Sequence, residues 1–415
     1  NGCTLGRELW AFLPRTNLPN LRYNTARVDG SPHVIDAFGD FNNDGKREFK
    51  TILTFQTGTG SASAQGGTPA VYALDVTDPL NPTIVWEHTI VDVASRGPHE
   101  LGQGLTLSAG KVLVSGQVKN VVFAQTNNGG TAGAGSVVTA ISIEGGAPLW
   151  MAPFGRTDGT PGAYPDPPRG SGAAVPTSAI PGGAVGVDKA GGGFITDLVF
   201  GDIYGSLWLV NPATGESRIG TNNPLFSFTT NFHAIGVRPA IIAKGTVQYA
   251  VFVSGGYADQ TGTVWGTGVQ QFAMAVSLNA TTQLDETSPS PDIGFKFDIG
   301  ANEKGFAQAV IVGNEIFFTT DTGDVNATGY GTTGSPTGKL YRLDFDGAEV
   351  GTSVVLLPPD LAGGANMIAN SGTALFTSGA DKTQQVATSA AGTAGTAVDA
   401  TQLPKVTRKL WLRTQ

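Results

Sequence analysis

The chain has 415 residues, 40% of them hydrophobic, which is enough to bury a full core. Its formal net charge is −8 and only 14% of its residues are charged, a balance that argues against nucleic acid as a partner and favours cations. No run of about 18 apolar residues occurs, so no membrane span is expected.

Glycine is abundant at 59 residues and proline adds 24. Such punctuation suits many short strands and turns, and no long apolar pattern of helical period is present. Ser, Thr, Asn and Gly stand where charges would ordinarily be, a composition common among extracellular proteins and subunits of assemblies. The single cysteine, Cys3, cannot staple the chain to itself. It is expected to be a free thiol or to pair with an upstream segment or another subunit. The chain lacks a Met start and a signal pattern, as expected of a mature product or a fragment.

In chain order, Leu9-Trp10-Ala11-Phe12 reads as a single strand without a neighbour. Next comes Asp40-Phe41-Asn42-Asn43-Asp44-Gly45-Lys46-Arg47-Glu48. Asp40, Asn42, Asp44 and Glu48 place oxygen side chains at the first, third, fifth and ninth positions of a short loop. Gly45 permits the sharp turn, and Lys46 offers its backbone carbonyl. Ca2+ takes roughly six to eight oxygens at this kind of spacing. Thr51 stands where an EF-hand needs its bidentate Glu, so the loop is not an EF-hand; it resembles the shorter D-x-[DN]-x-D-G-x-x-[DE] loop found between strands of several propellers. The alternative is an Asn43-Asp44-Gly45 hairpin turn with solvated charges. Lys46, Arg47 and Lys50 soften the negative charge.

Val71-Tyr72-Ala73-Leu74-Asp75-Val76-Thr77-Asp78-Pro79 with Ile84-Val85-Trp86-Glu87 predicts two antiparallel strands joined by an Asp/Thr/Pro turn. Further strands are expected at 111–115, 121–125 and 137–143. Others fall at 197–201, 207–210, 240–243, 249–254 and 272–278. The last are at 309–312, 315–320, 339–345, 374–377 and 409–412. Asp75, Asp78 and Asp344 are expected to make Asx-turns at strand ends. Residues 158–181, rich in Pro, Gly and Ser, and the Ala/Thr/Gly tract 384–402 read as irregular loops. Asp321-Thr322-Gly323-Asp324-Val325-Asn326 lacks an Asp-Gly corner and reads as a turn.

Strand–turn–strand units that recur every 40–60 residues or so, with about four strands each, mark a β-propeller. The expected fold is therefore all-β, a single β-propeller of about seven blades over residues 1–415. Strands from the two termini, 9–12 and 410–412, are expected to close the ring and remove its exposed edges.

Several of these stretches, in order, resemble the carboxy-terminal propeller of PilY1-type proteins. Gly6-Arg7-Glu8-Leu9-Trp10-Ala11-Phe12-Leu13-Pro14 with Leu18-Pro19 is similar to the family's opening, and Val71–Pro79 with Trp86-Glu87 to its first full blade. Gly201-Asp202-Ile203-Tyr204-Gly205-Ser206-Leu207-Trp208 is similar to its G-D-L-x-G-N-L-W strand. Pro224-Leu225-Phe226 with Ile235-Gly236-Val237-Arg238-Pro239-Ala240-Ile241 is similar to the start of the next blade, and residues 407–412 to the terminal strand. The resemblance implies a type IV pilus factor at the pilus tip or the bacterial cell surface, secreted through the periplasm. Its implied partners are minor pilins or other tip subunits and a host or abiotic surface ligand. Its implied roles are assembly against retraction, and adhesion, modulated by a calcium loop. In the family that loop lies just before the G-D-L-x-G-N-L-W strand. Here Asp188-Lys189-Ala190-Gly191-Gly192-Gly193-Phe194-Ile195-Thr196-Asp197 fills that place, with carboxylates only at its ends, so calcium is expected at Asp40–Glu48 and not there.

Two other classes compete. The strand–turn–Trp units at 137–150 and 207–215 resemble quinoprotein dehydrogenases, but the chain lacks their adjacent cysteines. A carbohydrate- or protein-binding propeller without pili would use loop aromatics such as Tyr164, Tyr257, Trp265 and Tyr330. His33, His88, His99 and His233 lack the spacing of a zinc site, and no G-x-S-x-G elbow occurs, so no enzyme activity is expected.

Overall fold

The computed structural model describes residues 8–21, 28, 30–42, 44–57, 69–93, 97–100, 107–125, 136–154, 180–220, 223–229, 233–255, 269–300, 303–305, 308–321, 338–351, 354–356, 366–370, 374–378 and 384–388. Its strands form consecutive antiparallel sheets, each built from neighbouring stretches of chain. The first sheet holds β1 (His33–Gly39), β2 (Glu48–Gln56), β3 (Val71–Asp75) and β4 (Thr83–His88). A two-stranded ribbon, β5 (Ile90–Val93) and β6 (Gly97–Glu100), precedes the second. The second sheet holds β7 (Ser108–Val114), β8 (Gln117–Gln125), β9 (Ser136–Ser142) and β10 (Pro148–Phe154). The third has β11 (Val185–Val187), β12 (Asp197–Gly201), β13 (Ser206–Val210) and β14 (Phe226–Ser227). The fourth has β15 (Ala240–Lys244), β16 (Val247–Val253), β17 (Phe272–Ser277) and β18 (Ile293–Asp298).

In the fifth sheet β19 (Lys304–Gly305) and β20 (Val310–Val312) both pair with β21 (Glu315–Asp321), followed by β22 (Gly338–Asp344) and β23 (Val354–Leu356). The sixth is three-stranded, β24 (Asn366–Asn370), β25 (Ala374–Ser378) and β26 (Gln384–Thr388). Six blade-like sheets and one ribbon are thus described, set against an expectation of about seven blades.

The core lies between successive sheets, as blade stacking requires. Ile52, Val71, Ala73 and Trp86 of the first sheet pack with Val122, Ala124 and Ile141 of the second. Phe123, Val138 and Phe154 of the second meet Leu198, Phe200 and Trp208 of the third. Leu207, Leu209 and Phe226 meet Phe252, Met274 and Val276 of the fourth. Val251, Ala273 and Phe295 meet Ile316, Phe318 and Tyr341 of the fifth. A strand with a sheet on each side is buried at every position instead of alternating; β12 and β13 are buried throughout. The Trp side chains thus serve packing between blades: Trp86, Trp150 and Trp208 all lie in or against these layers.

Two expectations are corrected. Leu9-Trp10-Ala11-Phe12 forms no strand. It lies along the outer face of the first sheet, where Phe12 packs edge-on to Phe55 and Tyr72, and Trp10 Nε1 donates to the Pro79 carbonyl at 2.9 Å. Pro14 stops extension here, and a short 3-10 turn over Arg15–Asn17 follows. Second, the tract 384–402 opens with strand β26, so its beginning is not an irregular loop. The expected closing strand at 409–412, Cys3, the loop aromatics Tyr164, Tyr257, Trp265 and Tyr330, and residues 158–179 lie outside the described residues, as does most of the 321–326 turn.

Candidate functional site

In each of the first four blade-like sheets the first strand pairs antiparallel with the second, so the turn between them occupies the corresponding place in each. Some of these turns are minimal: Ser115 and Gly116, between β7 and β8, both have positive φ, the conformation of a tight hairpin turn. Two are longer and begin with Asp. One is the loop from Asp40 to Glu48, between β1 and β2; the other runs from Asp188 to Asp197, between β11 and β12. The place at which the PilY1 resemblance puts a calcium loop and the place at which the residues put one are thus the same connection, two sheets apart.

The two loops share a local fold. Asp40 Oδ1 accepts the Asp44 N–H at 3.1 Å and Oδ2 accepts the Gly45 N–H at 2.9 Å. Asp188 Oδ1 accepts the N–H groups of Ala190 and Gly192 at 3.1 and 3.2 Å, and Oδ2 that of Gly193 at 2.6 Å. Each Asp therefore binds amides four and five residues on. The sixth residue is Gly45 in one loop and Gly193 in the other, with φ of +80° and +79°, a conformation only glycine adopts without strain. Donation by the amides, that of Gly193 foremost, holds the Asp188 carboxyl below the ordinary carboxylate range.

Their remaining side chains differ. In the first loop the Asn42 amide bridges to Asp44: Nδ2 donates to Asp44 Oδ2 at 3.1 Å, and Oδ1 accepts the Asp44 N–H at 3.3 Å. Asp44 Oδ1 also accepts the Lys46 N–H at 2.8 Å. Two carboxylates and one amide oxygen thus converge, and among the described residues neither Asp40 nor Asp44 is ion-paired. Carboxylate oxygens keep free lone pairs after accepting one N–H each. Glu48, at the start of β2, binds Lys50 Nζ at 3.0 Å, and Lys50 reaches Asp75 at 3.2 Å. Arg47 is drawn out of the loop: it donates to Glu144 Oε1 at 2.9 Å and to the Phe38 carbonyl at 3.1 Å. Among the described residues no three Asp, Glu, His or Cys side chains gather as a cage. The donors that fit a hard cation are the oxygens of Asp40, Asn42 and Asp44, joined by the Lys46 carbonyl and by Glu48 once it leaves Lys50.

The second loop has no such set. Ala190 and Gly192 replace the third and fifth oxygens. At its far end Asp197 is buried and accepts from Arg218 Nε at 2.9 Å, with Lys189 Nζ at 3.5 Å. Burial pushes the Lys189 pKa down, against the pull of Asp197. Asp197 is thus neutralised by protein cations, and this loop does not fit calcium.

The Gly201–Trp208 motif is structural. Asp202 is fully buried; its Oδ1 accepts the N–H groups of Tyr204 and Ser206 at 2.9 and 3.0 Å, and its Oδ2 accepts Trp208 Nε1–H at 2.9 Å. One carboxylate closes the turn between β12 and β13 and fixes the Trp. Asp75, Asp78 and Asp344 cap turns as expected, accepting the N–H groups of Thr77, Leu80 and Asp346 at 2.9 Å each. His233 is buried against Gln271, and His88 bonds the Gly146 carbonyl; both serve packing and turn geometry. Sequence reasoning missed a buried cluster in the fifth sheet. Glu303, 2% exposed, accepts from Thr320 Oγ1 at 2.5 Å and Tyr341 OH at 2.8 Å, and pairs with Lys339 Nζ at 2.5 Å. It also missed the Arg47–Glu144 link. Each arises between residues far apart in sequence and carries no local pattern.

No protein-family model matches the chain. The curated "Type IV pilus biogenesis factor PilY1 homolog" of Xylella fastidiosa (strain Temecula1 / ATCC 700964) is 25% identical over 231 residues. That match covers 54% of this chain and 15% of the relative's length. Among solved structures, the Pseudomonas aeruginosa PilY1 C-terminal domain superposes with a TM-score of 0.57 at 17% identity, over 94% of this chain and 88% of that one. A quinohemoprotein alcohol dehydrogenase from Pseudomonas putida HK5 aligns at TM-score 0.39 and 12% identity, over 71% and 44% of the two chains, too loosely to bear on function. The chain is similar in sequence to a PilY1 homologue and shares the all-β propeller fold of the PilY1 C-terminal domain.

Proposed function

We propose that this chain is the propeller of a type IV pilus-associated factor that works without catalysis, as a binding and assembly module. The observation that carries the reading is the match to a type IV pilus biogenesis factor over more than half of the chain. In this reading the propeller sits outside the cell, at the pilus tip or on the bacterial surface, beside minor pilins or other tip subunits. It presents a surface that engages a host or abiotic ligand. Cross-linking in piliated cells is expected to join the chain to pilin-like subunits, and loss of the chain to reduce surface pili. Full piliation without it, or a bound quinone with dye-linked alcohol oxidation, would overturn the reading.

The same reading places Ca2+ in the loop between β1 and β2, on Asp40, Asn42, Asp44, the Lys46 carbonyl and Glu48. It is supported by the convergence of Asp40, Asn42 and Asp44 and by the lack, among the described residues, of an ion-pairing cation on either Asp. Calcium is expected to raise the melting temperature and a chelator to lower it. D40A and D44A should each abolish the calcium response, whereas D188A should keep it. Equal responses in D40A and the parent chain would sink the assignment.

A further inference from the structure

The tryptophans of the outer strands repeat one contact. Trp86 of β4 donates its Nε1–H to the Ile143 carbonyl, in the turn between β9 and β10, at 3.0 Å. Trp150 of β10 donates its Nε1–H to the Pro212 carbonyl, in the turn between β13 and β14, at 2.8 Å. Each ring lies on a glycine of the turn it binds. A Cβ on Gly146 would meet Trp86 Cγ at 2.7 Å, and one on Gly215 would meet Trp150 Cε3 at 2.6 Å. Phe295 of β18 lies in the same way against Gly347, in the turn after β22. In each case the outermost strand of one sheet is fastened to the last turn of the sheet that follows it.

Trp10 makes this contact without a sheet behind it. Its Nε1–H donates to the Pro79 carbonyl, in the turn between β3 and β4, at 2.9 Å. Trp10 is therefore to the first sheet what Trp86 is to the second and Trp150 to the third. Leu9–Phe12 stands where the outermost strand of a preceding sheet belongs, with Phe12 against Phe55 and Tyr72. The inner half of the same face is open. Val34 of β1 is exposed there, opposite Leu53, which packs into the Phe55 and Tyr72 cluster. Phe38 and its cross-strand partner Phe49, the latter 75% exposed, set their rings 4.8 Å apart. The faces between successive sheets from the first to the fifth are filled by core residues, whereas this one lacks inner strands to cover it. The sixth sheet has the complementary lack. Its order is β24-β25-β26, with β24 beside β20 of the fifth sheet, and a fourth, outermost strand is missing among the described residues.

We propose that the open face of the first sheet is the seat of the sixth sheet, and that Leu9–Phe12 is the sixth sheet's outermost strand. β24, β25 and β26 cover Val34, Phe38 and Phe49. Leu9–Phe12 pairs with β26, and Trp10 fastens the completed sheet to the first as Trp86 and Trp150 fasten theirs. Burial of the exposed apolar side chains drives the docking, and pairing removes the free edge of β26. The proposal rests neither on the pilus reading nor on calcium.

The test is disulfide formation in the whole chain carrying C3S. A disulfide closes only where the two Cα atoms lie within roughly 4.4–6.8 Å, so it reports pairing directly. A11C is combined in turn with Q385C, V386C and A387C of β26, and with L412C. Under mild oxidation A11C is expected to close with at least one of the β26 partners inside a single chain, seen as faster migration without reductant. Closure with L412C alone, closure only between two copies, or no closure overturns the proposal. Hydrogen exchange of W10A gives an independent reading. The amides of β26 are expected to lose protection by roughly tenfold or more, while those of β12 and β13 keep theirs. Unaltered exchange in β26 overturns the proposal as well. Should W10A not fold, W10F, which keeps a ring and removes the N–H donor, decides: it loosens β26 to a smaller degree, and the proposal falls if it does not.

Discussion

Single carboxylates do most of the local organising in this chain, and Asp202 is the clearest. It serves three donors from a position with no solvent, so its removal strands a Trp208 N–H and two backbone N–H groups. Loss of charged-acceptor bonds under burial costs roughly 1.5–3 kcal/mol each where no water can replace them, and the three are not additive. D202A is therefore expected to lose about 3 kcal/mol or more in denaturant unfolding, with D202N losing less. Tyr341 gives a pH signature at the same scale. Burial, and after it the bond to Glu303, push its pKa up to about 12 from 10.0. A pKa raised by folding contributes stability that is complete below pH 10.0 and is lost as pH climbs through about 12. Lys339, raised by the same Glu303, adds to that alkaline loss. Y341F should flatten the fall in melting temperature between those values, and an unchanged slope would contradict this account.

At the scale of elements, the blades stack so closely that glycine is required where they touch. A Cβ on Gly255, after β16, would strike the Gly305 carbonyl of β19, and one on Gly305 would strike Val253. Overpacking of this kind costs about 1–3 kcal/mol, so G255A should lower the unfolding free energy by that amount, seen as a lower midpoint of urea unfolding with the slope unchanged. The same scale shows what the sequence could reveal. Apolar runs such as Val71–Asp75, Asp197–Gly201 and Tyr249–Val253 announced themselves, because a blade strand buried on both sides leaves few polar positions. The half-exposed β1, the three-residue β11 and the two-residue β14 did not, because each takes its strand character from a neighbour's edge. Leu9–Phe12 misled for the converse reason: its apolar residues serve to cover the first sheet and do not pair with it. The Asp40 loop was legible from spacing alone. That the Asp188 loop repeats its hydrogen bonds was not, since Ala190 and Gly192 erase the side chains that spacing arguments depend on.

For the whole molecule, the sheets are joined by more than cores. Ile235 N–H donates to the Asp202 carbonyl at 2.9 Å, Gly255 N–H to that of Ala234 at 3.0 Å, and Gly305 N–H to that of Ser254 at 3.1 Å. Each bond runs from one strand end to a neighbouring stretch at the same end of the stack, from the third sheet through the fourth to the fifth. This belt fixes which sheets unfold together, and the amides of Ile235, Gly255 and Gly305 are expected to exchange hydrogen only on global opening. Its consequence under load is distinct. Ser254 and Gly305 are bonded directly, while residues 255–304 loop out between them. Tension that enters the chain on either side passes through that one bond and the cores around it. Only when they rupture does the enclosed segment pay out, releasing on the order of 170 Å of contour at about 3.4 Å per residue. The half of the fourth sheet formed by β17 and β18 is in this sense a stored length, released in one step when the load exceeds what that bond and its cores can hold.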